Sequence, residues 1–389
     1  MSLLKKSWFI SLCFFLLVKP NCISSIPTLY PLDVLLNALR ILLVLYALIV
    51  FFKDMLVLPI NRLLATFLLV VASMFWELIA TALNDASVAD FGALTNSLGI
   101  ALICYMGLRS SYSSFVEGLA KITSLYVIIN CLTVLMFPSG MYSSSSYTQN
   151  YFLGYRAAWL PIYLLALTSV LLWNSNCPTQ HTKFWALAVI FSMTLSMIIQ
   201  WTATGLFCFS TAGAIFYLFS KKHLKPIKIQ WILIIEAIFF YIIIISRSME
   251  TFSFILVNIL KKDLTLTFRT RIWDNAVAAI TSNSLIGVGR LSAVEMQSIL
   301  GFGVTHPHNH YLYITLCYGL IGLSLFLMTV FLSNVGKTRS ADLRPGQIMM
   351  FAYIVLLSAA QVESFSATGG YILPIHFLAA SLHCKRLSK

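Results

Sequence analysis

Residues 268–273 read FRTRIW, residues 287–290 read GVGR, and residues 306–312 read HPHNHYL. These motifs lie in one stretch, residues 247–322, which gathers arginines, glycines and histidines inside a chain that is otherwise apolar. Of the 389 residues, 59% are hydrophobic and only 10% are charged, whereas a soluble domain carries about 25% charged residues. The chain has too few charges to cover a surface that faces water, so the sequence predicts a membrane protein.

The apolar segments on both sides of this stretch have the length of membrane-spanning helices, which need about 20 residues each. They predict an all-α polytopic membrane protein with about 12 transmembrane helices in which residues 1–389 form a single transmembrane domain. The first span resembles a signal peptide but lacks a clean cleavage site, so it is expected to stay in the protein. One long loop, residues 247–308, separates spans nine and ten. The predicted spans are residues 7–24, 32–52, 60–83, 90–108, 115–137, 156–173, 183–200, 203–219, 229–246, 309–332, 346–362 and 367–383.

The basic residues divide unevenly between the two sides of this predicted bundle. When the N-terminus is placed in the cytoplasm, most of the 26 Lys and Arg residues fall on the cytoplasmic side, as the positive-inside rule requires. The rule predicts a multi-pass protein of the cytoplasmic membrane with both termini in the cytoplasm. The net charge of +13 then reflects orientation in the membrane, and no nucleic-acid partner is expected. The loop 247–308 is basic although it is external, which indicates an anionic ligand.

A helical period runs through the first part of the motif stretch, because residues 268, 272, 276 and 280 are apolar and fall on one stripe. Residues two apart on a helix differ by about 200° in direction. Arg269 and Arg271 therefore point to nearly opposite sides, and only one of them can face a given pocket. Arg269 precedes Trp273 by four residues, on the side expected to pack, but both arginines remain candidates. The helix is expected to end at Asn283, before a Gly287-x-Gly289 turn that places Arg290.

Three histidines alternate along the chain at positions 306, 308 and 310. On a strand they would share one face, but Pro307 and the start of a predicted span disfavour a strand, and no Cys or carboxylate joins them. No metal is therefore expected. A histidine at the mouth of a span is well suited to act as a general base, because its pKa lies near the working pH. A histidine bonded only to local backbone is the alternative reading of these residues.

Two polar side chains outside this loop also lie at the external ends of predicted spans. Arg156 begins span six and is either a ligand of an anion or a snorkelling anchor. Glu363 follows span eleven and is expected to be an exposed loop carboxylate. Aromatic residues at the same face could stack on sugars or form the aromatic belt of the membrane interface; they are Tyr142, Tyr147, Tyr151, Trp159 and Trp273.

The motif His308-Asn309-x-x-Leu312, followed by Gly319-x-x-Gly322, resembles the signature of the superfamily of bacterial O-antigen ligases and Wzy-type O-antigen and capsule polymerases. The Arg269-x-x-Ile272-Trp273 element and the Gly287-x-Gly289 turn upstream of it resemble that superfamily as well. The resemblance is strong over residues 265–335. Elsewhere it rests on the number of spans and on Arg156.

The resemblance implies a metal-independent, inverting glycosyltransferase that needs no cofactor. Its donor would be an undecaprenyl-pyrophosphate-linked glycan on the external, periplasmic side of the membrane, and the chain contains no D-x-D motif for a sugar nucleotide. In this scheme His308 accepts the proton of the attacking hydroxyl, and Asn309 orients it or caps span ten. Arginine forks hold the pyrophosphate; Arg156 and Arg269 take this role, with Arg271 and Arg290 in reserve.

Three functions are compatible with these features. The segment from Asn150 to Arg156 is similar to that of polymerases, which favours the polymerisation of lipid-linked repeat units into O-antigen or capsular polysaccharide, with a chain-length regulator and a flippase as partners. Ligation of the lipid-linked glycan to lipid A core, as in lipopolysaccharide assembly, is the alternative. A flippase for lipid-linked oligosaccharides is an alternative of another class, but the sequence has no internal repeat of the kind found in transporters.

Overall fold

The computed structural model describes residues 3–55, 61–84, 91–144, 147–246, 269–334, 343–365 and 375–378. Within these ranges the regular structure is helical, and only isolated β-bridges interrupt it. The all-α class predicted from the sequence is confirmed. The α-helices are α1 Ser7–Leu17, α2 Asn21–Ser25, α3 Tyr30–Met55, α4 Arg62–Leu83, α5 Phe91–Ser110, α6 Tyr112–Met136, α7 Trp159–Asn176, α8 Gln180–Ile199, α9 Ala203–Lys221, α10 Ile229–Phe240, α11 Arg269–Ser282, α12 Ala293–Leu300, α13 His310–Asn334 and α14 Leu343–Ala360.

Nine helical segments among the described residues are long and apolar enough to cross a membrane, and each coincides with a predicted span. Two further predicted spans are also helical, namely α5 and α10, which a π-helical turn extends to Ile245. The last predicted span, residues 367–383, falls almost wholly outside the described residues, as do residues 247–268 of the long loop. The protein is therefore a polytopic, all-α membrane protein.

The helices differ in how much of their surface faces lipid. On α3, Leu35, Leu42 and Ile49 repeat every seven residues and are all exposed, as expected of a helix at the periphery of a bundle in a bilayer. By contrast, α7 is buried along nearly its whole length and packs against α6, α8 and α14. α7 is thus the central helix of this part of the bundle.

Helix α13 is broken in its middle at Gly319, where φ is 65° and ψ is −170°. The break frees the carbonyl groups of the preceding turn and the N–H groups of the following turn, which must find other partners in a membrane-spanning segment. The loop at residues 284–289 and a side chain of α4 supply them. The bonds are Val288 N to Leu316 O (2.9 Å), Gly289 N to Cys317 O (2.8 Å), Trp76 Nε1 to Tyr318 O (2.8 Å), Leu320 N to Ser284 O (2.8 Å) and Ile321 N to Leu285 O (3.3 Å).

Two glycines allow this close crossing of two backbones. A Cβ atom on Gly287 would lie 2.5 Å from the carbonyl of Cys317, and one on Gly319 would lie 2.1 Å from the carbonyl oxygen of Leu285. Both glycines also have positive φ, a conformation that costs other residues free energy. The loop and the broken helix therefore form one interlocked unit, which places the residues that follow the loop and precede α13.

Candidate functional site

Helix α11 is held against the histidine segment by its apolar face. Ile272, Trp273 and Ala276 are buried, as the helical period predicted, and the helix ends at Ser282, next to the predicted Asn283. The Trp273 side chain is completely buried, and its Nε1 donates a hydrogen bond to the carbonyl of Pro307 at 2.8 Å. This bond fixes the start of α11 beside the residues that precede α13.

The two arginines of α11 point to different sides, as the helix geometry predicted. Arg271 is exposed, whereas the Arg269 side chain is only 23% exposed. Nη1 of Arg269 donates to the carbonyl of Val362 at 2.6 Å, and Nη2 lies 3.9 Å from Oε1 of Glu363. Burial lowers the pKa of Arg269, while the Glu363 carboxylate acts in the opposite direction. Of the two candidates, Arg269 is the one that faces inward.

The expectation that Glu363 is an exposed loop carboxylate is wrong. Its side chain is 18% exposed and lies beside the Arg269 guanidinium, and Oγ1 of Thr204 donates to its Oε1 at 3.5 Å. The chain turns inward directly after α14, so that Glu363 enters the bundle. Because a salt bridge between residues so far apart in sequence leaves no local pattern, the sequence could not show it.

The predicted base, His308, lies close to both Arg269 and His306. The His306 and His308 rings have their centroids 4.2 Å apart. Burial, and next the positive charge of Arg269, lower the pKa of His308 to about 3 and that of His306 to about 4. The His308 Nδ1 atom is buried, and no described residue forms a hydrogen bond with it. His308 is therefore a neutral imidazole near pH 7, the form that can accept a proton.

Asn309 caps α13 and also links this helix to the end of α14. Its Oδ1 accepts a hydrogen bond from the backbone N–H of Leu312 at 2.9 Å, which is the usual geometry of an N-terminal cap. Its Nδ2 donates to the carbonyl of Gln361 at 2.9 Å. Of the two roles predicted for Asn309, the geometry is that of the cap, and the cap fixes where the chain leaves His308.

Arg156 reaches the same end of the bundle from another part of the chain. It begins a short 3-10 turn before α7 and is exposed, and its Nη1 donates to the carbonyl of Gln200 at 2.8 Å. Gln200 ends α8, and Thr204, at the start of α9, contacts Glu363. The short turn between α8 and α9 thus lies between Arg156 and the pair formed by Arg269 and Glu363.

A pair of stacked tyrosines lies next to Arg156. The Tyr147 and Tyr155 rings are nearly parallel, at 3°, with centroids 3.9 Å apart, and the Arg156 guanidinium carbon is 5.7 Å from the centroid of the Tyr155 ring. Burial raises the pKa of Tyr147, and the charges of Tyr155 and Glu363 raise it further. The segment before Arg156 therefore reaches the Glu363 side of the site.

Arg290 has a different set of neighbours. Its backbone N–H donates to Oγ1 of Thr81 at 3.1 Å, and its charge interacts with that of Glu77. Nearby, Nδ2 of Asn84 donates to the carbonyl of Gly287 at 3.2 Å. These contacts place Arg290 against α4, on the loop that fills the break in α13.

Two contributors to the site could not be found from residue types. Gln361 and Val362 act through their backbone carbonyls, which hold Asn309 and Arg269, and a carbonyl is present at every position of a sequence.

Among the described residues, no group of three or more His, Cys, Asp or Glu side chains is placed to hold a metal ion.

One stretch of the chain matches a known protein family. Residues 151–327, just under half of the chain, match the family described as O-antigen ligase; no match was found among curated proteins. The matched segment begins before Arg156, includes Arg269 and His308, and continues past the break at Gly319. Residues 151–327 are therefore similar to the O-antigen ligase family, which supports a membrane enzyme of O-antigen or related polysaccharide assembly.

Proposed function

We propose that this chain is a metal-independent, inverting glycosyltransferase that polymerises undecaprenyl-pyrophosphate-linked repeat units into O-antigen or capsular polysaccharide. The observation that carries the proposal is the placement of His308, a partly buried and neutral imidazole, beside the partly buried guanidinium of Arg269. A proton acceptor next to a cation that can bind phosphate is what the transfer of a sugar from a pyrophosphate carrier needs.

In the proposed reaction, His308 accepts the proton of an acceptor sugar hydroxyl as its oxygen attacks the anomeric carbon of the donor. The bond between that carbon and the pyrophosphate oxygen breaks, and the pyrophosphate leaves with the electron pair. Arg269 and Arg156 stabilise the charge that develops on it, since arginine donates two parallel hydrogen bonds to phosphate oxygens. Attack opposite the leaving group inverts the anomeric configuration.

The depressed pKa of His308 has two consequences for a base: the imidazole is available in its unprotonated form, but it is a weaker proton acceptor than an ordinary histidine. An imidazole with a pKa of about 3 is unprotonated throughout the neutral range, so the enzyme does not have to lose a proton before it can react. The pyrophosphate of a bound donor would bring negative charge to the same place. That charge favours the protonated imidazole formed during the reaction, which Arg269 alone disfavours.

The sidedness of the site follows from the distribution of basic residues. The positive-inside rule places both termini in the cytoplasm and residues 247–308 outside the inner membrane, with these residues as the external catalytic loop of a single transmembrane domain. The membrane lipid and the lipid-linked glycan are then the immediate partners. A flippase that delivers the glycan and a chain-length regulator are the further partners of such a reaction.

Transport is the competing function of another class, and a broken helix such as α13 is a feature of transporter binding sites. In transporters the freed backbone groups coordinate the substrate or ion. Here the loop at residues 284–289 and Trp76 bond to those groups around Gly319. The break therefore supports a fixed scaffold better than it supports an ion site.

The polymerase and ligase functions differ in the acceptor, which is another lipid-linked repeat unit or lipid A core. We favour the polymerase because the segment 150–156, whose sequence is similar to that of polymerases, lies beside the proposed donor clamp. Tyr155 of this segment stacks on Tyr147, which precedes it, and the two rings supply aromatic surface on which sugar rings can pack.

The test replaces His308 with alanine in a strain that depends on this chain, and follows glycan length on the carrier lipid and on lipid A core. A polymerase variant accumulates single repeat units on the outer face. A ligase variant accumulates full-length polymer on the carrier, and a flippase variant traps single units inside. The matched control is His181→Ala, which should behave as wild type. His181 lies at the start of α8, at the end of that helix away from Gln200. Full-length polymer on its normal acceptor in the His308→Ala strain would overturn the assignment of the base.

A further inference from the structure

Helix α10 carries one carboxylate, Glu236, at a depth where the rest of the helix is apolar. Ile229, Ile232 and Glu236 form its buried stripe, and the opposite side exposes residues such as Trp231 and Ile238. Glu236 is only 7% exposed. An ionisable group inside a membrane-spanning segment is costly and is usually kept for a function, yet Glu236 has no part in the chemistry proposed above.

The carboxylate of Glu236 is bonded to the end of α14. Oγ of Ser358 donates to its Oε1 at 2.9 Å, and Nε2 of Gln361 donates to its Oε2 at 3.0 Å. The same Nε2 also donates to the backbone carbonyl of Glu236 at 2.9 Å. The Gln361 amide is therefore held by two acceptors of α10 at the point where α14 has just ended.

The three residues that begin with Gln361 each hold one part of the candidate site. The carbonyl of Gln361 accepts from Asn309, the cap that follows His308. The carbonyl of Val362 accepts from Arg269, and the Glu363 carboxylate lies beside the same guanidinium. The backbone N–H groups of this segment bond to the carbonyls of Ser358 and Ala359 at the end of α14, and the Gln361 side chain adds a second anchor on α10.

We propose that Glu236 is a positioning residue, which holds the segment 361–363 through Gln361 and thereby sets the relative placement of His308 and Arg269. The proposal rests on the function proposed above in one respect only: the consequence for catalysis. Its structural content, that α10 fixes the segment that bonds to the site, can be tested without any substrate.

The test exchanges the hydrogen-bond donor, the amide of Gln361, with the acceptor, the carboxylate of Glu236. In Glu236→Gln an amide replaces the carboxylate, so that it can no longer accept from both Ser358 and Gln361. Gln361→Glu alone places two carboxylates opposite each other. In the double variant E236Q/Q361E the amide of residue 236 can donate to the carboxylate of residue 361, which restores the bond between the two side chains with its polarity reversed, while the bond to the backbone carbonyl of residue 236 stays lost.

The first readout is hydrogen–deuterium exchange of the full chain in detergent, which needs no substrate. Glu236→Gln should increase the exchange of the Leu312 amide, which is bonded to Asn309, and the double variant should reduce it again. The matched control is Ser333→Ala, which removes an equally buried contact between α13 and α14, the 2.9 Å bond to Tyr353, at the opposite end of α13. It should leave the Leu312 amide unchanged.

The second readout is turnover of lipid-linked repeat units extracted from a strain that lacks this gene. Misplacement of a reacting group by about 1 Å costs on the order of a hundredfold in rate, so Glu236→Gln should lower kcat about tenfold to a hundredfold with a smaller change in KM. The double variant should recover part of the lost kcat, because only the bond between the two side chains is restored. If Glu236→Gln is not recovered as folded protein, Gln361→Ala breaks the same link from α14 and replaces it in both measurements.

Unchanged Leu312 exchange in Glu236→Gln, or a double variant no better than either single one, would overturn the positioning role. A kcat loss that Ser333→Ala reproduces would overturn it too, since it would then be a general effect of helix packing. Failure of the proposed function looks different. In that case wild-type protein does not extend the lipid-linked units, while the exchange of Leu312 still responds to Glu236.

Discussion

The guanidinium of Arg269 and the carboxylate of Glu363 lie 3.9 Å apart in the interior of the protein, although one begins α11 and the other follows α14. The same guanidinium donates to the carbonyl of Val362, so that Arg269 is aligned by two consecutive residues. A loosely paired cation held by a backbone carbonyl keeps further N–H groups for another anion, because arginine has five of them.

Lysine at position 271 should preserve activity, whereas lysine at position 269 should not. Arg269→Lys keeps the charge and loses the planar fork, so glycan synthesis should fall by about a hundredfold, the effect of losing one strong donor to a developing charge. Arg271→Lys is the matched control on the exposed side of the same helix and should retain wild-type activity. Glycan length and turnover of the lipid-linked unit give the measurement. Equal tolerance at both positions would show that α11 does not bind the donor.

The acid limb of the pH–rate profile should lie well below that of an ordinary histidine. A base with a pKa of about 3 stays unprotonated as the pH falls from neutral, and is lost only when the pH approaches that value. An exposed imidazole would lose activity near about pH 6.5. The pH dependence of kcat/KM reports the free enzyme and is the measurement. A limb near 6.5 would contradict a buried His308 as the base.

Gly319→Ala should destabilise the protein, since its Cβ would lie 2.1 Å from the Leu285 carbonyl oxygen and its φ is 65°. Left-handed backbone strain and overpacking together predict a loss of at least about 2 kcal/mol. Gly213→Ala on α9 is the control, because its Cβ would meet nothing within 4 Å. That change should stabilise the helix by about 0.5–1 kcal/mol. Thermal unfolding of the two variants in detergent compares them, and a Gly319→Ala protein as stable as wild type would contradict the interlocked crossing.

Tyr147→Ala should weaken glycan binding if the tyrosine pair packs against sugars. Aromatic contacts of this kind are worth about 0.5–1.5 kcal/mol, so KM for the lipid-linked unit should rise about twofold to tenfold. Tyr147→Phe keeps the ring and should keep most of the affinity. Tyr217, exposed at the far end of α9, is the control for an aromatic belt residue. Equal effects at Tyr147 and Tyr217 would assign both to the membrane interface.

The parts of the site that depend on local periodicity could be predicted from the sequence. The opposite orientation of Arg269 and Arg271 follows from residues two apart on a helix, and the cap at Asn309 follows from its place before an apolar span. The burial of Glu363 could not be predicted in this way, since it depends on a salt bridge to α11. The sequence also shows Gly319 only as part of a glycine pair, whereas its break depends on a loop that inserts from about thirty residues upstream.

The broken α13 has a mechanical consequence. The half of α13 before the break runs from His310 to Tyr318, nine residues, and is about 13 Å long. The last carbonyl groups of this half-helix bond to the loop at residues 284–289 and to α4. The half-helix is not continuous with the half that extends to Asn334. The same loop also accepts hydrogen bonds from the backbone N–H groups of Leu320 and Ile321, at the start of the second half, so the loop ties the two halves to each other. The position of His308, which directly precedes the first half, is thus set by the loop together with both halves of α13.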